Sequence, residues 1–252
     1  MMNGETGRSN VLRSVSEGLD GKTGEILRAV QILRRPGEVA ELRAFSDRGT
    51  TSGYFDDYRE LASVAAGLDD RGYQVYMTLN PVLPALLARF ENRLESRPKA
   101  TTTDGDVVKR SWLPIDLDPV RPSGISASDL EKQAAIRRGA EIRGYLTHKG
   151  WPDPLEADSG NGAHLLYGVD LPNDRESLEL VRGVLGALDF LFSDSTVSVD
   201  TGVVNAARIW KLYGTTARKG DSTEDRPHRR SRLLKVPGVV QEAALAEVHA
   251  WK

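Results

Sequence analysis

Apolar positions recur along this chain with two periods, one near 3.6 residues and one of 2, which predicts a mixture of helices and strands. Ile26, Val30 and Leu33 form a helical stripe behind Thr23, a candidate N-cap, and Arg35, Pro36 and Gly37 end that helix. Residues 39–45 read as a strand and 49–53 as a turn. Leu61, Val64 and Leu68 mark a second helix, closed by Gly72. Residues 74–80 alternate, with Val75, Met77 and Leu79 on one face and Tyr76, Thr78 and Asn80 on the other. Leu83, Leu87, Phe90 and Leu94 fall at helical spacing and predict an amphipathic helix. Residues 97–110 are polar and break the pattern. Residues 112–118 then alternate: Leu113, Ile115 and Leu117 share one face, and Trp112, Asp116 and Asp118 share the other.

Ser128 and Glu131 form a capping-box signature for a helix reaching about Thr147. Residues 153–162 read as a turn and 163–169 as a strand. Asn173 with Glu176 caps a helix striped by Leu178, Val181, Leu185, Leu188 and Phe192. A short strand at 197–200, a strand at 207–213, a basic loop at 226–232 and a short helix at 241–252 complete the chain. From residue 110 the order is β-α-β-α-β, which suggests helices on one face of a largely antiparallel sheet and an open, polar opposite face. The first hundred residues form a separate βα-type layer. Residues 1–24 hold five glycines and read as loosely structured. Gly21-Lys22-Thr23 is not a phosphate loop, because Ser16 stands where that motif needs glycine and no strand precedes it.

Composition narrows the chemistry. A length of 252 residues is ample for a core, and a net charge of −2 supplies no global field for nucleic acid, so any such contact must be local. Cysteine is absent, which excludes disulfides, thiolate catalysis and cysteine zinc sites. The four histidines form no H-E-x-x-H or His-x-His pair. No apolar run approaches the ~20 residues of a membrane span, and the N-terminus lacks the features of a signal peptide. A soluble, intracellular, cytoplasmic protein with no membrane partner is expected.

Asp116 and Asp118 stand one pleat repeat apart on a polar strand face, about 7 Å on strand geometry. Fixed carboxylates that close repel unless a cation sits between them, and hard oxygen ligands suit Mg²⁺ or Mn²⁺. A lone D-x-D is equally the solvated face of a strand end. Ser159, Gly160, Asn161 and Gly162 form a flexible turn whose N–H groups suit an anion. His164 follows it, on the face opposite Ala163 and Leu165; a lone strand histidine is usually a plain surface residue. Asp200 is a candidate third carboxylate, or a simple turn aspartate. Arg208, Lys211 and Lys219 flank a Gly-Thr-Thr turn and suit a polyphosphate. Strict alternation places Arg208 and Lys211 on opposite faces unless a bulge re-aims one.

Four motifs in order, D-L-D at 116–118, S-G-N-G-A-H at 159–164, V-S-V-D at 197–200 and N-A-A-R-I-W-K-L-Y-G-T at 205–215, resemble the archaeo-eukaryotic primase superfamily. Within it, the chain is most similar to the primase–polymerase domains of plasmids, phages and related mobile elements. The stretches V-A-E-L-R at 39–43 and V-Y-M-T-L-N-P-V at 75–82 resemble that group too. The resemblance implies an α+β fold: a primase–polymerase domain at 25–238, made of an N-terminal α/β module (25–100) joined to an RRM-like catalytic sheet (107–238). Residues 239–252 would form a C-terminal helix. It implies metal ligation and catalysis by Asp116, Asp118 and Asp200, with two Mg²⁺ or Mn²⁺ ions. It implies nucleotide contacts by His164, Ser159, Asn161, Gly162, Arg208, Lys211 and Lys219, with Arg43 and Asn80 near the nucleotide or template. Many members carry Glu at the position of Asp118, and eukaryotic-type members carry Ser at that of Gly162.

The expected activity is template-directed nucleotidyl transfer from nucleoside triphosphates, as primer synthesis or DNA extension on a single-stranded DNA template and primer. Arg226, Arg229, Arg230 and Arg232 are candidates to track the template backbone, or else form a solvated loop. A helicase or another replication protein is a candidate partner. The competing expectations are a non-catalytic module that binds nucleotide or single-stranded DNA, and a metal-dependent nuclease.

Overall fold

The structure, a computed structural model, describes residues 21–243. Of the expected loose segment at 1–24, residues 1–20 lie outside the described residues and 22–24 already belong to the first helix; of the expected terminal helix at 239–252, residues 239–243 are not helical and the remainder lies outside the described residues.

The first half begins with α1 (Lys22–Leu33), which starts directly after Gly21 at φ 80°. Thr23 sits inside its first turn and does not cap it. The strands β1 (Ala40–Ser46) and β2 (Gly49–Phe55) form a tight antiparallel hairpin, with Ser46 opposite Gly49. The expected turn at 49–53 is therefore a strand. Its glycines misled the sequence reading: Gly49 supplies the φ of 110° that closes the hairpin, and at Gly53 a Cβ would lie 2.0 Å from the Arg93 carbonyl oxygen. Next, α2 (Tyr58–Asp70) is capped by Asp57, which accepts from the N–H groups of Arg59 and Glu60. β3 (Gln74–Thr78) follows.

The amphipathic helix expected over 83–94 does not form. A 3₁₀ turn spans Pro84–Arg89, and the chain then runs irregularly to β4 (Glu95–Ser96). The reason is a contact with a segment distant in sequence. Asn92 adopts φ 46°, outside the right-handed helical range, and its carboxamide oxygen accepts from the N–H groups of Asp56 and Asp57. Leu86, Leu87 and Phe90 instead close a small separate cluster around Tyr54 and Val82.

The second half contains β5 (Lys109–Pro119), α3 (Asp129–His148), β6 (Leu155–Asp158), β7 (Ala163–Pro172), α4 (Arg175–Phe192) and β8 (Val197–Val199). Then come β9 (Ile209–Lys211), β10 (Thr216–Ala217), β11 (Arg229–Arg230) and β12 (Arg232–Lys235). The expected turn at 153–162 contains β6. The Ser128–Glu131 capping box is present at α3. At α4 the cap is Asp174, which accepts from the Ser177 N–H, while Asn173 donates to the carbonyls of Asp104 and Val107. One five-stranded sheet runs β12-β6-β7-β5-β8, with every pairing antiparallel. α3 packs on it so closely that a Cβ on Gly139 would come within 3.3 Å of Leu117.

The other five-stranded sheet runs β4-β2-β1-β3-β9. Its last strand comes from the C-terminal half, with Tyr76 of β3 opposite Lys211 of β9. The boundary placed between residues 100 and 107 is thus crossed: residues 209–211 extend the N-terminal sheet. The expected 207–213 strand shrinks to these three residues. The polar face of β5 is also less open than expected. Trp112 is buried on it and donates from Nε1 to the Leu33 carbonyl, 3.1 Å away, so the end of α1 covers the first half of the strand. Only the half bearing Asp116 and Asp118 remains uncovered. One apolar core continues through both halves. Among the described residues, no helix is long and apolar enough to cross a membrane.

Candidate active-site cleft

The two sheets meet at a cleft of about 360 Å³. β5 contributes Asp116 and Asp118, β7 contributes His164, and the turn after β8 contributes Asp200. Register explains the convergence. Asp116 pairs with His164, and both carry their side chains to the same face. The Asp200 N–H donates to the Asp116 carbonyl at 2.9 Å, which continues the β5–β8 ladder and brings the third acid alongside. Ser159, Asn161, Arg208, Lys211 and Lys219 border the same cleft, whereas Gly162, Arg43, Asn80 and the four arginines of the basic loop do not.

His164 is buried, with Nε2 3.4 Å from the Asp116 carboxylate and Nδ1 2.9 Å from the Tyr213 hydroxyl. Tyr213 in turn accepts from Trp210 Nε1 at 2.8 Å. The Tyr213 oxygen therefore links the indole to the imidazole and fixes the orientation of the ring. Its Nε2 faces Asp116 and the cleft. Burial pushes the Tyr213 pKa far up, so this hydroxyl stays protonated. The Trp210 ring lies 4.2 Å from the imidazole, centroid to centroid, and backs it from behind.

The Asp118 carboxyl is held above its ordinary range, first by burial and next by the charge of Asp116. Arg121 approaches Asp118 to 3.4 Å and relieves only part of this. Two neighbouring carboxylates under mutual repulsion are a donor set that a hard divalent cation relieves. Asp200 presents one more carboxylate, one oxygen of which accepts from the Gly202 N–H at 2.7 Å. Among the described residues, no three His, Asp or Glu side chains are drawn together closely enough to form a ready metal cage. By oxygen chemistry and shared cleft, Asp116, Asp118 and Asp200 would suit Mg²⁺ or Mn²⁺.

The cations divide by what they already touch. Lys211 is buried under β3, its ammonium bound to the carbonyls of Thr216 (2.8 Å) and Val75 (3.3 Å), and burial lowers its pKa to about 7. Arg208 precedes β9 and donates to the Gly202 carbonyl, so both it and Lys211 reach the cleft despite the alternation argument. Arg218 is tied to Asp69 at 2.7 Å. Lys219 is exposed, enters no ion pair among the described residues, and its charge pulls the Asp118 pKa down.

Several expected contacts are used internally. The Gly160 N–H donates to Asp158 and the Gly162 N–H to Ser159 Oγ, at 2.7 and 2.8 Å, so the turn is not a free anion nest. Asn161 accepts from the Ala127 N–H. Gly162 is needed for space, since a Cβ there would lie 2.1 Å from the Leu117 carbonyl oxygen. Asn80 is buried and bridges Ala206 and Ser111. Arg43 pairs with buried Glu41. In the basic loop Arg226 grips Glu131 through both nitrogens, Arg229 meets Asp129, Arg230 meets Glu25 and Arg232 lies 3.8 Å from Asp158. Sequence reading missed Tyr213, Trp210, Arg218 and Phe45, whose place depends on contacts far along the chain; the alternation of Trp210 with Leu212 hinted only that one face of that segment is covered.

In sequence, no known family and no curated protein matches the chain. In fold it is similar to the crystal structure of primase RepB′, at a TM-score of 0.50 and 13% identity, covering 91% of this chain and 62% of that one. The chain spans less than two thirds of that primase. At this identity the likeness supports a primase-like mixed α/β fold with antiparallel sheets, and nothing finer.

Proposed function

We propose that the cleft carries out template-directed nucleotidyl transfer, in the manner of a primase–polymerase. The observation that carries this reading is that Asp116 and Asp118 of β5, His164 of β7 and Asp200 of the turn after β8 all line one polar cleft. Asp116, Asp118 and Asp200 would hold Mg²⁺ or Mn²⁺, which when bound supply neutralising charge for a triphosphate and for an attacking hydroxyl. His164 presents Nε2 to a phosphate oxygen, its ring held in orientation by Tyr213 and Trp210. Lys219 and Arg208 offer charge to the remaining phosphate oxygens. Lys211, whose amine already serves two carbonyls, positions the β3–β9 edge rather than gripping a phosphate. Single-stranded DNA template, primer and nucleoside triphosphates are the proposed substrates, and a helicase is a proposed partner.

The test is extension of a labelled primer on a single-stranded template in Mg²⁺ and in Mn²⁺, with the Asp116→Ala and Asp118→Ala proteins beside the parent. Loss of synthesis in both variants, with unchanged thermal midpoints, is expected; full synthesis by either would end the proposal. A module that binds nucleotide without polymerising it is the second reading, favoured by the three carboxylates not yet standing as a ligating group. Nucleotide binding with no synthesis under either metal would select it.

A further inference from the structure

The basic loop expected to track a template has its charges spent on acids. A different surface holds unspent ones. Across the N-terminal sheet, Ser52, Arg43, Tyr76 and Lys211 stand opposite one another on four adjacent strands, and Thr50, Phe45 and Gln74 form the next row. Paired residues project from the same face. The opposite face, with Leu42, Ala44, Val75 and Met77, is buried in the core. The first face begins at the cleft, where Phe45, Gln74 and Tyr76 form one wall. It continues into a second depression of about 430 Å³, bordered by Phe45, Arg43, Arg97 and Lys99. Phe45 belongs to both.

We propose that this sheet face, from Tyr76 and Phe45 outward to Arg97 and Lys99, is the path of a single-stranded nucleic acid leading into the cleft. Phe45 and Tyr76 are half-buried, pack edge to face with centroids 5.7 Å apart, and offer ring surface to unstacked bases. Successive aromatic faces beside a cationic rim are how single strands are held without sequence preference. Arg97 and Lys99 are exposed and join no ion pair among the described residues; Arg48, in the adjoining hairpin turn beside Asp47, joins none either. Arg97 adopts the left-handed φ of 54°, fixed by its N–H to the Thr50 carbonyl at 2.8 Å and by Nε to the Arg48 carbonyl. Such a conformation is uncommon outside glycine and here aims a cation at the groove. Arg43, half-buried on the groove floor, is already neutralised by Glu41, which Ser52 and Thr102 also hold. It shapes the floor, and Arg97 and Lys99 supply the charge. A duplex keeps its base faces stacked, so the aromatic pair selects a single strand.

The inference rests on the nucleotidyl-transfer reading only for what the strand is used for. Its test is fluorescence anisotropy of the full chain with a labelled single-stranded DNA of about 16 nucleotides. The Arg97→Gln/Lys99→Gln protein should bind more weakly, with the logarithmic salt slope reduced by about 1.4 for two lost phosphate contacts. Phe45→Ala should weaken binding about fivefold or more at one salt concentration. Arg226→Gln should bind within twofold of the parent. Parental binding by the Arg97/Lys99 protein, equal affinity for a blunt duplex, or an equal loss in Arg226→Gln would each overturn the path. If primer extension proceeds while the groove variants bind normally, the path alone fails. If the groove governs binding while no synthesis occurs in either metal, the path stands and the polymerase reading fails.

Discussion

Asp69 joins the two halves of the molecule at the rim of the cleft, and replacing it with Asn has a calculable outcome. Its carboxylate is fully buried at the end of α2 and accepts from Lys22 Nζ at 2.6 Å, Arg218 Nη1 at 2.7 Å and the Thr216 N–H at 2.8 Å. Burial by itself would raise its pKa, but these partners outweigh burial and bring it down from 3.8 to about 2. At about 1.4 kcal/mol per pH unit, that difference is worth roughly 2.5 kcal/mol of stability. The sign follows from proton binding: near pH 3 the unfolded chain holds more protons, so the contribution is complete above about pH 4 and is lost as the pH falls toward 2. Asp69→Asn removes the charge from between Lys22 and Arg218. Those partners are 28% and 22% exposed, so water compensates part of their loss, and the expected destabilisation at pH 7 is about 2–3 kcal/mol, below the range for a fully buried pair. Urea denaturation of both proteins from pH 7 downward reads the difference. The gap should hold to about pH 4 and narrow below it, as the parent's own aspartate protonates. A gap under about 1 kcal/mol at neutral pH, or one that stays constant through pH 3, would refute the reasoning.

Tyr213→Phe strands His164 Nδ1 and Trp210 Nε1 in a buried setting, so it should cost about 1–3 kcal/mol in urea denaturation and lower the rate of primer extension. Gly162→Ala drives a methyl onto the Leu117 carbonyl oxygen of the strand that carries Asp116 and Asp118, and should destabilise by at least about 2 kcal/mol on the same measurement. Lys211, with its folded pKa near 7 against 10.5 unfolded, binds fewer protons when folded, so stability should rise between pH 7 and 10.5; Lys211→Met should flatten that rise in a series of urea midpoints.

What sequence could and could not tell here follows from the range of the interactions. The D-L-D strand, the Ser128 capping box and the long helices depend on neighbours within a few residues, and they stand where periodicity put them. Elements whose shape depends on distant partners were misjudged. The glycines of β2 looked like a turn because the carbonyl of Arg93, forty residues on in the chain, is what demands a missing Cβ at Gly53. The helical spacing of Leu83, Leu87, Phe90 and Leu94 was genuine, yet Asn92 is committed to the cap of α2 and cannot also be helical.

Charge shows the same limit more sharply. A run of four arginines at 226–232 and a scatter of cations at 43, 48, 97 and 99 are equally legible as basic, and density alone favours the run. The run proves to be the poorer candidate, because Glu25 of α1, Asp129 and Glu131 of α3 and Asp158 of β6 converge on it from three other segments. A charged side chain bound to an acid must give up that partner before it meets a phosphate, whereas Lys219, Arg97 and Lys99 enter no ion pair among the described residues. The cations available to an anionic substrate are therefore set by where acids fold to, and three of them border the two depressions that share Phe45: Lys219 in the cleft, and Arg97 and Lys99 at the far rim.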